Sequence, residues 1–494
     1  MILIINYVLL STAILSVKAS ILASPPQTAL VIGFENVYDL SLLANTISDQ
    51  GIDVTLVIPA LNSRDIYEHL VQVEVIKLNF TTGSNDKREE KALKACETFL
   101  SDKNIIKRVG EIQPTFTIFP AIRHDACLIP WAKSIESIPV IWALGQEDEY
   151  YAVEKSRMAI PFQTDKFFDR FLINLNLKSV SSHAQNNYAN QALKLIKTYI
   201  KNVQDTKLDD LYSDVKVFLW GGDPILRVNF APLTHQLIEI GCHHCRGVQP
   251  LPPVLQKELI EFKLGTIVVT LDSEYIDLIE QLAQEIPQGR QGQAIVWKSK
   301  IVKNTNKKNV FINADVDRQD LIGYSRTRIL LSHCADTELL EAKFHGTPVI
   351  CFPRNSQEKN NNLRAIKLGI SISLNNDYTI ENVYKIFHEI NENVKYREVA
   401  RKVSLAIRDK LAPASDRLIF SLNYAARNKE TMIDYWPVGR DINISTFTED
   451  VNFLYGLIIG ITVGALFVAT TVLTWYYQSK DNKLTKVKGK KYNR

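Results

Sequence analysis

The chain has 494 residues, 46% of them hydrophobic, with 58 Lys and Arg against 54 Asp and Glu for a formal charge of +4. That length supports two or three domains, and the composition is too apolar for a disordered chain. Residues 478–494 hold six Lys, one Arg and one Asp, a local +6, so the rest of the chain carries −2 and a nucleic-acid-binding surface is excluded.

Ile2–Ser16 is a short apolar run followed by Val17-Lys18-Ala19, with small residues where a signal peptidase would cut, so residues 1–19 read as a signal peptide. Thr28–Gly33 predicts a buried strand, Asp39–Gln50 an amphipathic helix stopped by Gly51, and Asp53–Pro59 a second strand. Together they form a βαβ unit, whose right-handed crossover lays both strands parallel in one sheet. Glu89–Ser101 and Asn186–Asn202 read as polar-faced helices, Phe116–Pro120 and Ile138–Leu144 as strands around a helix, and Lys216–Trp220 closes this first half. Pro250-Leu251-Pro252-Pro253 is a linker. A second βα series follows: strand Thr266–Leu271, helix 273–286, strands Gln293–Trp297, Asn309–Asn313 and Arg328–Ser332, helix 337–345, Gly346 and strand Pro348–Phe352. Two such halves suggest facing doubly wound domains, with ligands expected in the cleft at the C-terminal ends of the strands.

Phe453–Tyr477 has no charge in 25 residues, enough to cross a bilayer as a helix, with Trp475, Tyr476 and Tyr477 suited to the interface. The Lys-rich segment after it suits the cytosolic side, so a type I arrangement is expected. The domain plan is therefore signal 1–19, first domain 20–249, second domain 250–430, juxtamembrane segment 431–452, membrane helix 453–477 and basic tail 478–494. Asn79-Phe80-Thr81 and Asn443-Ile444-Ser445 are glycosylation sequons if the bulk is luminal. Cys242-His243-His244-Cys245 has the spacing of half a zinc site, but no second pair follows at a usable distance. It reads as a loop with a structural or free thiol, and no metal site is expected.

His333-Cys334-Ala335-Asp336-Thr337-Glu338-Leu339-Leu340-Glu341-Ala342, then Gly346-Thr347-Pro348, Pro353, Gln357-Glu358 and Asn361, resembles the signature of the UDP-glycosyltransferases, including the membrane-bound UDP-glucuronosyltransferases. Gly265–Val269, Asp320-Leu321-Ile322-Gly323, the 250–252 linker, Asp416-Arg417 and Asn423-Tyr424 resemble further family segments. The resemblance implies an α/β chain of the GT-B fold: two facing Rossmann-like domains plus a C-terminal transmembrane helix, resident in the endoplasmic reticulum or another secretory membrane. It implies no cofactor, a UDP-sugar as donor substrate, a small lipophilic acceptor, and homo- or hetero-oligomers with related transferases.

The resemblance also assigns positions. The family's catalytic His falls at Asn36, and an amide is no general base near neutral pH. The supporting Asp falls at Ile122. Glu35 and Asp125 are candidate substitute bases, and His124 and Asp39 lie close by in sequence. On the donor side, the family's glycine-bearing helix start becomes Cys334-Ala335-Asp336-Thr337-Glu338, with Asp336 placed to cap the helix through donors that a diphosphate would need. At ~5 Å and an effective dielectric of ~20, each like-charge pair would cost roughly 3 kcal/mol. The uracil-holding Trp-x-Pro-Gln appears as Asp315-Val316-Asp317-Arg318, the sugar-binding Asp-Gln as Gln357-Glu358, and the donor-loop Gly as Asp272. His333 is retained as a phosphate donor and Glu341 at the ribose position, while Arg318, Arg354 and Lys359 read as solvated cations able to offset negative charge. Two functions stay open: transfer of a glucuronosyl or hexosyl group to a lipophilic hydroxyl, or an inactive scaffold that binds lipophiles or regulates active relatives.

Overall fold

The computed structural model describes residues 27–60, 66–80, 87–144, 188–200, 208–212, 215–222, 237–300, 305, 307–375, 377–428 and 446–491. The signal peptide, Asn443 and most of the juxtamembrane segment lie outside these residues.

Seven parallel strands make the first sheet: β1 (Thr28–Ile32), β2 (Asp53–Pro59), β3 (Val73–Leu78), β4 (Phe116–Pro120), β5 (Ile138–Ala143), β6 (Val217–Trp220) and β7 (Leu237–Glu239), in spatial order 3-2-1-4-5-6-7. The central strands are continuous apolar runs because helices cover both faces. The second sheet holds β8 (Thr266–Val269), β9 (Ala294–Trp297), β10 (Val310–Ile312), β11 (Thr327–Ser332) and β12 (Val349–Cys351), in order 10-9-8-11-12. In both sheets the order reverses beside the first strand, which opens a crevice at the strand C-termini. The GT-B plan of two doubly wound domains is thus present.

Observed elements are shorter or shifted by a few residues where chain ends fray. The first helix runs Val37–Asp49 and begins two residues before the predicted start, because Asn36 turns the chain in the left-handed region (φ 53°) that Asn tolerates. The predicted 273–286 helix splits into a 3-10 turn, Ser273–Tyr275, and an α-helix, Ile276–Glu285.

Each sheet is packed on both sides, with Trp142, Trp220 and Trp297 fully buried. The helix Ala414–Arg427 belongs by sequence to the end of the second domain, yet Leu418, Leu422 and Ala425 lie in the first domain's core with Val31, Leu56 and Val140. Their i, i+4, i+7 spacing forms one stripe, so the chain returns to the domain where it began. Arg417 Nε fixes the return by donating to the Glu239 carbonyl at 2.9 Å.

All six cysteines are bonded, as Cys96–Cys127, Cys242–Cys245 and Cys334–Cys351. This corrects the reading of 242–245 as a loop with a structural or free thiol. The C-terminal helix is one piece, Thr446–Lys491, running through the predicted membrane segment into the basic tail. Its apolar stretch Leu454–Lys480 has a mean hydropathy of 2.3 and none of it is buried, so it is long and apolar enough to cross a membrane.

Candidate active site in the interdomain cleft

The turn from β1 into the 37–49 helix points into the cleft. Asn36 is exposed there and its side chain caps nothing. The neighbouring Glu35 carboxylate pairs with Arg123 at 3.5 Å. Ile122 is only 6% exposed and belongs to the first domain's core; what it offers is its carbonyl, which accepts from His124 Nδ1 at 2.8 Å. His124 Nε2 then accepts from the Phe34 N–H at 3.0 Å, which fixes the tautomer and ties the β4 loop to the β1 loop. Burial pushes the His124 imidazole down to about 4 despite the Ile122 hydrogen bond and Glu35, so it is neutral at physiological pH. Asp125 is buried too, and accepts from the Tyr212 hydroxyl at 2.5 Å and from the Ala126 N–H. Neither substitute base is a free carboxylate: Glu35 is tied to Arg123 and Asp125 to Tyr212. A further acidic group, Asp39, reaches the cleft from the first domain, one turn beyond Asn36. Burial raises its carboxyl to about 6, Asp336 pushing the same way and the Thr337 hydrogen bond, Arg318 and His244 opposing.

Beyond β2 and β3, a recess of about 810 Å³ is lined by Phe80, Tyr199, Lys94, Glu97 and Thr98, with the exposed Asn79 on its wall. Its walls are mixed aromatic and charged.

In the second domain, β11 ends at Ser332 and the chain turns through Cys334 (φ 59°) into the helix Asp336–His345. The helix N-cap is Ala335, with no side-chain cap, so Asp336 does not cap its own helix as the sequence suggested. Its carboxylate turns to the helix Ser356–Leu368 instead and accepts from Gln357 and Asn361. Burial raises the Asp336 carboxyl, against the nearby Arg364. Gln357 is thereby held within the protein, and so is Glu358, which pairs with Arg354 at 2.8 Å. Arg354 also reaches Asp272 at 2.7 Å, and Asp272 lies 3.2 Å from His333 Nε2. His333 Nδ1 contacts the Phe352 carbonyl at 2.8 Å, leaving Nε2 to accept from the Asp272 N–H at 3.3 Å. Both ring nitrogens of His333 are thus engaged within the protein.

At the position where the family resemblance expects the nucleotide lies Arg318, which is buried and not solvated as expected. Its Nε and Nη2 grip Glu341 at 2.6 and 2.7 Å, Nη1 lies 3.5 Å from Glu338, and Nη2 is 3.4 Å from the Thr337 hydroxyl. His244 adds a contact to Glu341 at 3.1 Å. Burial alone would raise the Glu341 carboxyl, but Arg318 and His244 hold it at about 2. The first domain completes the seal: Tyr38 lies against the guanidinium at 4.9 Å, and Tyr67 donates to Asp317 at 2.5 Å. Arg246 binds Asp320 through both terminal nitrogens, at 2.7 and 2.9 Å.

The structure thus brings together Arg318, Glu341, Thr337 and Asp336 in one cleft, with Asp272, His333, Gln357 and Glu358 along its second-domain wall. Tyr38, Tyr67 and His244 are members that sequence reasoning missed. Tyr38 and Asp39 carried a usable signal, lying in the first turn of the helix that follows Asn36, whereas Tyr67 sits in an irregular stretch with none.

The family model for UDP-glucuronosyl and UDP-glucosyl transferases matches residues 63–433, and this chain belongs to that family. Among relatives, UDP-glucosyltransferase 2 of Dactylopius coccus is 27% identical over 40% of this chain and 39% of its own length. UDP-glucuronosyltransferase 1A9 of Mus musculus is 22% identical over 71% of this chain and 68% of its own. The first match therefore spans about two-fifths of its relative and the second about two-thirds. Two solved structures share the fold. A UDP-glucosyltransferase from Polygonum tinctorium has TM-score 0.55 and 14% identity over 83% of this chain and all of its own. The calicheamicin glycosyltransferase CalG4 has TM-score 0.54 and 14% identity over 81% of this chain and 99% of its own.

Proposed function

We infer that this chain is a membrane-anchored GT-B protein whose donor site is filled by its own side chains, so that it serves as a ligand-holding or regulatory partner of active relatives and does not turn over a UDP-sugar. One observation carries the reading: Arg318 occupies the carboxylate that the family reserves for ribose, Glu341, from a buried position. A nucleotide would have to break a two-point buried ion pair, which costs about 3–5 kcal/mol when one partner is left behind. Asn36 and Ile122 remove base and support from the acceptor side. The apolar 454–480 helix would hold the protein in the membrane beside its relatives, with a luminal bulk and a cytosolic basic tail. The recess at Phe80 and Tyr199 suits a small amphipathic ligand. Calorimetry of UDP, UDP-glucose and UDP-glucuronic acid with the detergent-solubilised full chain tests the reading. No binding is expected up to ~1 mM, and a micromolar Kd would sink it.

A second reading has one observation in its favour. Asp39, at about 6 and in the cleft, is tuned as a general base for neutral pH. In that case it would take the proton of an acceptor hydroxyl as the oxygen attacks the anomeric carbon and UDP leaves. Transfer detected by mass spectrometry with the native chain and lost in Asp39→Asn would establish this reading over the first.

A further inference from the structure

Cys242 and Cys245 are joined to each other, with His243 and His244 in the ring between them. Each histidine serves a different domain. The Thr46 hydroxyl donates to the Leu42 carbonyl, so at 2.9 Å it accepts from His243 Nδ1 and ties the ring to the 37–49 helix. His244 Nε2 meets Glu341 in the second domain at 3.1 Å, and the His244 carbonyl accepts from Gln319. The ring therefore sets the spacing of two side chains that hold the cleft from opposite sides. Cys242 lies at φ 62°, a conformation disfavoured for any residue with a Cβ, and the ring maintains it.

The three disulfides differ in exposure and in the loops they close. Cys96, Cys127, Cys334 and Cys351 are fully buried. Cys245 is only half-buried and runs straight into the exposed residues 247–249. The Cys242–Cys245 loop has a sequence separation of 3, against 31 and 17 for the others, so it gains the least from restricting the unfolded chain.

We propose that Cys242–Cys245 is a thiol–disulfide exchange site for an external dithiol, and that its reduction loosens the cleft. A thiolate of the dithiol attacks Cys245 Sγ, the sulfur–sulfur bond breaks, and the Cys242 thiolate leaves and takes a proton. The second thiol then attacks the mixed disulfide, releasing Cys245 as a thiol and the reductant as its own disulfide, so two electrons pass to the protein. With the ring open, Cys242 leaves the left-handed region and the two histidines lose their fixed spacing, releasing Thr46 and Glu341.

Dithiothreitol is titrated stepwise into the full chain in detergent, with alkylation and mass spectrometry to locate each opened pair. Cys242 and Cys245 are expected to label at about tenfold less reductant than the other four cysteines. At that step, hydrogen exchange in the 37–49 and 336–345 helices should speed up while near-ultraviolet circular dichroism shows a folded protein. Earlier labelling of either other pair, or opening of all three together on unfolding, would overturn the proposal. So would unchanged exchange in both helices after selective reduction. The double variant Cys242→Ala/Cys245→Ala should show the faster exchange without reductant; if it does not fold, the titration of the native chain still decides.

Discussion

Arg318 and Glu341 face each other from two helices of the second domain with paired contacts of 2.6 and 2.7 Å, and the ring that covers them, Tyr38, belongs to the first domain. The pair within the second domain and the contact between the domains therefore share one guanidinium. Replacing Arg318 with Gln, the residue type the family places there, should do two things at once. It should leave Glu341 buried without its cation and lower stability by roughly 3 kcal/mol, and it should make UDP binding measurable by calorimetry. Unchanged stability would show that the pair is not holding the cleft.

Glu341 also sets an acid limit. Its carboxyl sits near 2 in the folded chain against an ordinary 4.5, so the pair contributes stability that is fully present above about 4.5 and lost as pH falls toward 2. Chemical denaturation of the native chain at pH 6, 4 and 3 should show that loss. Glu341→Gln should flatten this part of the profile.

Asp39 acts in the opposite direction. Its folded carboxyl is raised from 3.8 to about 6, so the folded chain binds that proton more tightly than the unfolded one. Its charge opposes folding by about 3 kcal/mol above pH 6, and the penalty fades as pH drops to about 4. Asp39→Asn, which can still accept from Thr337, should raise stability at pH 7.5 and change little at pH 3.5 in thermal scans.

Restoring the missing base should not restore transfer. Asn36→His places an imidazole on an exposed turn, but on the proposed reading Arg318 still fills the place of the donor by its pairing with Glu341. Product analysis with UDP-glucose and a broad panel of phenols should find none. Turnover from this single change would show that the seal opens readily.

Tyr67→Phe removes a hydrogen bond from one domain to a carboxylate of the other. A loss of about 1.5–3 kcal/mol is expected, with faster exchange at the N-terminus of the Arg318–Ile322 helix. Exchange confined to the region around Tyr67 would place the bond's effect within one domain.

The sheets were legible because buried parallel strands write themselves as apolar runs: Thr28–Ile32, Asp53–Pro59 and Phe116–Pro120 were marked almost to the residue. Family spacing singled out Asn36, Ile122 and Glu341, and of these Glu341 lies in the cleft against Arg318 while Ile122 lies in the first domain's core. What spacing could not carry is the direction of a side chain. Asp336 looked like a cap and instead serves Gln357 and Asn361, while Arg318 looked solvated and is buried against Glu341. Tyr67 and Asp317 are 250 positions apart and only the fold makes them neighbours.

The helix Ala414–Arg427 gives the molecule an unexpected mechanics. Because Leu418 and Leu422 complete the core in which β1 and β2 lie, the second domain is an insertion within the first, joined to it by two runs of chain in place of one. In the chain this helix comes before the apolar 446–491 helix, so the element nearest that helix in sequence belongs to the first domain's core. A soluble form cut before residue 414 would strip that core, whereas one cut after 428 would keep it. Any displacement of the second domain against the first would have to break the contacts of Tyr38 with Arg318, Tyr67 with Asp317 and His243 with Thr46.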